Sequence, residues 1–102
     1  MDHKRKLLRT LASSLLLYER IETSLANARA VRPYVEKLIT KSKTDSLHIR
    51  RQLFSKLTQN AAKKTLEIFG PKYAKKTGGY TRMTKLSAPN SGISKVVLEL
   101  VE

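Results

Sequence analysis

The sequence predicts a single α+β domain in which about four helices pack on a small three-stranded sheet. Two observations carry this prediction. Through most of the first two thirds of the chain, apolar side chains recur at steps of three and four, which gives a helix one apolar face. Three short segments, 20–24, 80–86 and 95–101, are instead rich in β-branched or aromatic residues or alternate in polarity, as strands do. The 102 residues show no repeat and no linker, so residues 1–102 are expected to form one domain.

The first helix is predicted from an apolar stripe at the start of the sequence. Asp2 can cap this helix, because a carboxylate accepts hydrogen bonds from free N–H groups and suits the positive end of the helix dipole. The stripe of this helix is made of Leu7, Leu8, Leu11, Leu15 and Tyr18. The first strand, 20–24, follows the helix directly.

The second helix is predicted to run from a Ser24 cap to about Lys43. Pro33 lies inside it and has no backbone N–H, so a kink is expected near residues 29–32. Its five apolar residues at helical spacing should face the core. They are Ala28, Val31, Val35, Leu38 and Ile39.

Two shorter helices are predicted between residues 44 and 70. Thr44-Asp45 is the predicted cap of the third helix and Asn60 that of the fourth. Gly70-Pro71 is expected to end the fourth helix, because glycine favours the position after a helix and proline the start of the next turn, here 71–76. The expected core residues of the two helices are Leu47, Phe54, Leu57, Ala62, Leu66 and Phe69.

Gly78-Gly79 is expected to separate the helical part from the last two strands. Residues 80–86 and 95–101 are predicted to pair antiparallel across a turn-rich loop at 87–92. The segment 95–101 is apolar on both faces, which is typical of a buried strand. The early strand at 20–24 is the natural third member, because two strands alone are only marginally stable.

The charge of the chain is its most informative property for function. Lys and Arg number 21 against 8 Asp and Glu, a formal net charge of +13 with a pI near 10.4. So large an excess makes the folded chain repel itself unless a polyanion lies against it. The expected partner is therefore a nucleic acid, an anionic membrane or an acidic protein.

Several other functions have little support in the sequence. No cysteine is present, so a disulfide, a thiolate nucleophile and a cysteine-based zinc site are excluded. His3 and His48 are far apart, and His48 lies too close to Asp45 and Ser46 to build a nucleophile, base and orienting group. No apolar run has the length of a membrane span. We expect neither an enzyme nor a cofactor, metal or small-molecule site.

Basic residues form clusters on several predicted elements. Lysine and arginine neutralise phosphates, and tyrosine can stack on an unpaired base. Because these clusters contain almost no acidic residues, they predict contact with a polyanion and not merely a solvated face. The candidate RNA-binding residues are His3, Lys4, Arg5, Lys6, Arg9, Arg50, Arg51, Lys72, Lys75, Lys76, Tyr80, Arg82 and Lys85.

The most specific hypothesis concerns the approach to the last hairpin. A turn at Gly78-Gly79 would gather Lys72, Lys75, Lys76 and Arg82, and Tyr80 would share a strand face with Arg82 because side chains alternate along a strand. These residues are predicted to form one RNA-binding patch. The alternatives are that Arg82 pairs with Glu22 or Glu99, that Tyr80 is a core residue, and that Tyr73 packs beneath the fourth helix.

Several of these residues also resemble a known family in collinear order over essentially the whole chain. The resemblance is to the bacterial large-subunit ribosomal protein seventeen family and its organellar relatives. Its most specific pieces are Glu36-Lys37-Leu38-Ile39-Thr40 and Gly78-Gly79-Tyr80-Thr81-Arg82. Further pieces are Glu19-Arg20-Ile21-Glu22-Thr23, Asp45 with Arg50-Arg51, Gly70-Pro71-Lys72-Tyr73 and the closing Glu99-Leu100-Val101.

The resemblance implies an α+β fold with helices on a small mixed sheet and no catalytic activity. It implies a structural constituent that binds large-subunit (23S-type) rRNA, supports translation and lies near the peptide exit tunnel beside other ribosomal proteins. The implied location is the cytoplasmic ribosome, with an organellar ribosome as the alternative.

Two other functions fit parts of the pattern. A DNA-binding helix-turn-helix could be built from residues 45–57 and 61–69, but its turn has no glycine and the basic residues spread over every helix. A membrane-surface protein could use the first helix as a basic amphipathic anchor, but basic charge continues far beyond that helix.

Overall fold

The computed structural model describes residues 2–44, 46–86 and 95–102. Their elements follow in the order helix, strand, five helical segments and two strands. The bounds are α1 Asp2–Tyr18, β1 Arg20–Ser24, α2 Leu25–Ser42, α3 Leu47–Lys56, α4 Gln59–Lys64, a π-helical turn Thr65–Phe69, α5 Gly70–Lys72, β2 Thr81–Lys85 and β3 Lys95–Leu100. Because α4, the π-helical turn and α5 follow one another without a break, the described chain has four helical bodies, and the predicted α+β fold is confirmed.

The three strands form one sheet in the order β1-β3-β2. β3 pairs antiparallel with both neighbours, so that Glu99 lies opposite Arg20 on one side and Arg82 on the other. The predicted pairing of the last two strands and the predicted third strand are therefore confirmed. The mixed sheet implied by the resemblance is not found, because neither pairing is parallel.

Helix α2 has the cap and the buried face that its sequence predicts, and the kink near residues 29–32 stays a prediction. The Ser24 hydroxyl accepts a hydrogen bond from the backbone N–H of Asn27 at 3.1 Å, which caps the helix. Pro33 lies within α2, and the helix continues past it to Ser42. All five residues predicted for its core face are buried. This stripe is packed between α1 and the sheet and positions the other elements around it.

The core faces of α1 and α3 differ from their prediction. In α1 the buried stripe centres on Ala12, Leu15 and Leu16, whereas Leu7 and Tyr18 are exposed. In α3 Leu53 is buried, together with Leu57 just beyond the helix, whereas Leu47 and Phe54 are exposed. Each predicted stripe is therefore rotated from the observed one, because several apolar residues on these helices allow more than one face. Ala62 and Phe69 are buried as predicted, and Leu66 is partly buried.

The predicted caps of α3 and α4 are each displaced along the chain. Ser46 caps α3, and its hydroxyl accepts a hydrogen bond from the Ile49 N–H at 3.2 Å. Helix α4 begins after Thr58, so Asn60 is inside it. The Asp45 half of the predicted Thr44-Asp45 cap, the side chain of Asp2 and the loop at 87–92 lie outside the described residues.

Gly70 does not end a helix. It has helical backbone angles, φ −55° and ψ −57°, and the chain continues helically through Pro71 and Lys72. A Cβ at Gly70 would lie 2.6 Å from the backbone oxygen of Ser42 on α2. The glycine is therefore explained by the close approach of two helix backbones and not by a helix stop. None of the helices described here is long and apolar enough to span a membrane.

Candidate nucleic-acid interface

The first basic cluster lies on α1, and all of its side chains are exposed. Cations at the N-terminal end of a helix oppose the helix dipole, so local helix stability does not explain them. One of them also contributes to the fold, because an Arg9 Nη2–H donates to the Leu57 carbonyl at 3.1 Å, just beyond the end of α3. A guanidinium has five N–H donors, so Arg9 keeps others for a partner. The cluster is His3, Lys4, Arg5, Lys6 and Arg9.

Three other groups of predicted cations are also exposed. Arg50 and Arg51 are on α3, and Lys85 is at the end of β2. Lys72, Lys75 and Lys76 lie on α5 and the turn that follows it. The Lys72 ammonium is 5.3 Å from the centre of the Tyr73 ring, a cation–π contact. The segments that carry them, 47–56, 72–76 and 81–85, contain no acidic residue in their sequence, so each has a positive net charge.

Tyr80 is not part of this surface, which corrects one predicted site residue. Its side chain is fully buried and packs against the Tyr73 ring with a centroid distance of 5.1 Å. Its hydroxyl is 3.1 Å from the Thr40 hydroxyl and donates to the Lys76 carbonyl at 3.2 Å. Burial alone would raise the pKa of Tyr80, but the adjacent Lys43 ammonium and Thr40 hydroxyl outweigh it and lower that pKa. Tyr80 therefore stabilises the core and is closed to RNA.

Arg82 lies on the sheet surface and pairs with Glu99. The Arg82 Nη2 and the Glu99 Oε1 are 2.7 Å apart, across the register of β2 and β3. Tyr80 and Arg82 do not share a face, because β2 begins only at Thr81 and the alternation starts there. The alternatives in which Arg82 pairs with a strand glutamate, Tyr80 is core and Tyr73 is buried are thus confirmed. A patch of the remaining lysines stays a prediction.

The turn before β2 is fixed by a carboxylate on α2. Gly78 and Gly79 have positive φ, 129° and 66°, which glycine adopts without strain. Glu36 accepts hydrogen bonds from the Gly79 N–H at 3.0 Å and the Thr81 N–H at 2.9 Å. It also accepts one from the Thr81 hydroxyl at 2.8 Å, while Arg32 donates to that hydroxyl oxygen at 3.0 Å. Glu36 therefore tethers the Gly78-Gly79 turn, and the Gly79 N–H is already hydrogen-bonded to that carboxylate.

The structure adds a surface feature that the sequence did not indicate. We call it the Tyr34 groove, and it lies between α1, α2 and the C-terminal end of α3. Two adjoining cavities of about 340 and 450 Å³ form it, and both are lined by Leu8, Tyr34 and Lys56. Its five cations are Arg5, Arg9, Lys37, Lys41 and Lys56.

Of the residues that line the Tyr34 groove, only Arg5 and Arg9 were predicted from the sequence to bind RNA. Tyr34, Lys37 and Lys41 follow one another at steps of three and four on α2, which places them on one side of that helix. That spacing was the available signal. Their meeting with Lys56 depends on how α3 packs, and no local pattern encodes it.

Two further observations describe what the surface offers chemically. Arg50 and Lys63 line another groove, between α3 and α4, together with Glu67. Within residues 2–44, 46–86 and 95–102 no three His, Cys, Asp or Glu side chains come together in a way that could hold a metal ion. Most of the exposed charged side chains described above are cations, which suits electrostatic contact with an anionic partner.

Comparisons with known proteins identify the family. Residues 7–101 match the family model of ribosomal protein L17. The chain is 43% identical over 100 residues to the large ribosomal subunit protein bL17 of Solibacter usitatus, covering 96% of this chain and 67% of the relative. It is 42% identical over 102 residues to bL17 of Clostridium kluyveri, covering 98% of this chain and 90% of the relative. With bL17 of Dinoroseobacter shibae it shares 45% identity over 85 residues, which are 82% of this chain and 62% of the relative.

The match to the family model runs from residue 7 through the rest of α1, most of the Tyr34 groove, the Gly78-Gly79 turn and the whole sheet, and it leaves out His3, Lys4, Arg5 and Lys6. The chain therefore belongs to the ribosomal protein L17 family, as a non-enzymatic structural constituent of the large ribosomal subunit with the cytoplasmic, ribosome-associated location of a bacterial-type ribosomal protein.

Proposed function

We propose that this chain binds large-subunit rRNA through its exposed cations and thereby helps to hold the RNA in the form that translation requires. The observation that carries the proposal is the position of those cations. They are exposed on α1, on α3, on the turn at 72–76 and at the end of β2, and few carboxylates lie among them. Phosphate neutralisation with release of counterions is the main source of affinity for such a surface.

The spread of these cations over several elements supports RNA as the partner. Contacts to phosphates fix the position and orientation of a protein on a nucleic acid. Cations on separate elements of one rigid domain would contact phosphates that are distant along the RNA chain but near in the folded RNA. This arrangement suits a folded RNA better than one straight duplex groove, which a single recognition helix would serve.

The proposal extends to the neighbours implied by the family. We place the chain near the peptide exit tunnel, beside other large-subunit proteins. Several large apolar side chains are exposed and are available for contact with such proteins. They are Leu7, Tyr18, Leu47, Phe54, Ile68 and Leu86. Chemical cross-linking of the chain within purified large subunits, followed by identification of the linked proteins, tests this placement.

The salt dependence of binding tests the electrostatic mechanism. For about six phosphate contacts, the logarithm of the affinity should fall against the logarithm of the salt concentration with a slope of roughly −4 to −5. Fluorescence anisotropy with labelled large-subunit rRNA fragments measures this slope. A slope near zero would contradict the proposal.

Two controls separate rRNA from other anionic partners. Duplex DNA of matched length tests the helix-turn-helix alternative, and anionic liposomes test the membrane-surface alternative. We expect rRNA to bind more tightly than both at the salt concentration of the cell. Co-sedimentation with large subunits through a high-salt wash provides the corresponding test in the assembled particle, and loss of the chain into the wash fraction would argue against a structural role.

A further inference from the structure

We propose that the Tyr34 groove holds one unpaired nucleotide of RNA, with its base on the apolar floor and its phosphates on the cationic rim. This inference rests on the proposed RNA-binding function and assigns part of it to a defined site. The groove combines high positive charge with an apolar floor and a fixed aromatic ring, and each of these features restricts the chemistry of the occupant.

The rim of the groove selects an anion. Arg5, Arg9, Lys37, Lys41 and Lys56 all line it, and no aspartate or glutamate among the described side chains lines either cavity. Five positive charges around one groove repel one another. An occupant that carries phosphates on both sides of a central group would remove that repulsion.

The floor of the groove indicates that the anion also has a flat apolar part. Leu8, Pro33, Leu38 and the Tyr34 ring line it. A bare phosphate or a duplex backbone gains nothing from an apolar floor, whereas an unpaired base gains from contact with an aromatic ring and aliphatic side chains. Cavity volumes of about 340 and 450 Å³ lie within the range of roughly 300 to 1,000 Å³ that ligand sites occupy.

Tyr34 is already held in position before any ligand arrives. Its hydroxyl donates to the Lys56 carbonyl at 2.7 Å, and Arg9 is held in a similar way by the Leu57 carbonyl at 3.1 Å. A ring and a guanidinium that are fixed in advance lose little freedom on binding. Burial raises the pKa of Tyr34, and the Arg9 charge opposes this only in part, so the phenol is neutral at physiological pH and does not repel a phosphate.

An acidic peptide could also neutralise the rim, but the surroundings of the groove favour RNA. The exposed cations continue beyond the groove along α1, through Lys4 and Lys6. The groove is thus one part of a longer positive surface, as a polyanion with one base turned inward requires. An acidic peptide would neutralise the rim but would not supply the flat base that the Tyr34 ring and the apolar floor favour.

The test compares two RNAs and a set of variants by fluorescence anisotropy. One RNA is a fully paired hairpin, and the other is the same hairpin with one unpaired adenosine. Stacking of one base on an aromatic side chain should make wild-type protein prefer the second RNA by about 5- to 100-fold. Tyr34→Leu keeps an apolar floor but removes the ring, and it should abolish most of this preference. Tyr34→Phe keeps the ring and should retain it.

A matched pair of charge variants separates the groove from general electrostatics. Lys37→Gln/Lys41→Gln removes two rim charges and should weaken binding of the bulged hairpin more than that of the paired hairpin. Lys75→Gln/Lys76→Gln removes two exposed charges outside the groove and should weaken both equally. The lysine variants alter only the surface, so they test the site even where a Tyr34 variant folds poorly, which circular dichroism would reveal.

Each result has a distinct meaning. Equal binding of the two hairpins by wild-type protein, or an unchanged preference in both Tyr34→Leu and the groove lysine variant, would overturn the groove assignment while the proposed RNA-binding function stands. A polyglutamate peptide that binds the wild type and is lost in the groove variants, while RNA binding is unchanged, would identify a protein occupant instead. Absence of any RNA binding by wild-type protein would refute the proposed function itself.

Discussion

At the junction of α2 with β2, charged side chains find their partners within the chain, whereas the lysines on the rim of the Tyr34 groove face solvent. Glu36 accepts three hydrogen bonds from Gly79 and Thr81, and Arg82 pairs with Glu99 on the neighbouring strand. On the groove, five cations surround a lining to which the described part of the chain contributes no carboxylate. Glu36 and Lys37 are adjacent in the sequence of α2, yet Glu36 belongs to the junction and Lys37 to the rim of the groove.

The difference shows that a basic residue of a family motif can have a partner within its own chain. Arg82 belongs to the most specific motif of the sequence, yet its first partner is a glutamate of the same sheet. Lys37 and Lys41 belong to no basic run, yet they border a groove in which the described residues include no acid. What separates the two cases is whether the fold supplies a carboxylate, and this can be read only from the packed structure.

The largest expected effect concerns the residue that belongs to both the core and the groove. Leu38 is buried in the core and also lines the floor of the Tyr34 groove. Leu38→Ala should lower the free energy of unfolding by about 2–5 kcal/mol, because it removes buried methyl groups and leaves a cavity. Urea denaturation measures the change. The neighbouring exposed Lys37→Ala is the control and should change stability by less than about 0.5 kcal/mol. An unchanged denaturation midpoint in Leu38→Ala would contradict the assigned core face.

A smaller effect is expected where charge is satisfied within the chain. Glu36→Ala leaves the N–H groups of Gly79 and Thr81 and the Thr81 hydroxyl without their acceptor. The expected loss of stability is about 1–3 kcal/mol, because Thr81 is buried and its N–H would be left without an acceptor, whereas the exposed Gly79 N–H can bond to water. Glu22→Ala removes an exposed acid from β1 and is the matched control, expected to be nearly neutral. Should both variants unfold at the same denaturant concentration, the tether would have no energetic role.

The smallest expected effect sharpens the same comparison for RNA. Arg82→Ala breaks an exposed ion pair, so it should cost about 0–1 kcal/mol of stability. Because the Arg82 guanidinium is already paired, its loss should weaken rRNA binding less than Lys75→Ala/Lys76→Ala, counted per charge. Anisotropy titrations of the two variants at one salt concentration measure this difference. A greater loss of RNA affinity per charge in Arg82→Ala would show that the Arg82 guanidinium leaves Glu99 and binds the RNA.

The parts of the fold that follow from short-range patterns were predicted well. The Ser24 cap and the apolar face of α2 depend on residues a few positions apart, and both are observed. The three strands were predicted from alternating polarity along the sequence. Their pairing was predicted because no other strand was predicted with which they could pair. The faces of α1 and α3 were predicted less well, because Leu7, Leu47 and Phe54 are apolar yet exposed, and periodicity alone cannot tell which apolar residue meets the core.

The errors at Gly70 and Tyr80 have a common cause. Gly70 looked like a helix stop, but its role is set by the Ser42 backbone of another helix. Tyr80 looked like a surface tyrosine in a basic segment, but it is enclosed by residues from α2 and by Tyr73. In both cases the deciding neighbour is distant in sequence. Most of the predicted cations were correctly expected to be exposed, because lysine and arginine are rarely buried without a partner.

The sheet order has a consequence for how the chain is made. β1 and β2 do not pair with each other, and each depends on β3, the strand that follows both of them in the chain. During synthesis the helices can associate early, but β1 has no hydrogen-bonding neighbour until residues 95–100 have left the ribosome. Contacts between such distant segments form slowly, because a long loop must close first. A protein of the ribosome would thus complete its own sheet only after all three strands have passed through one.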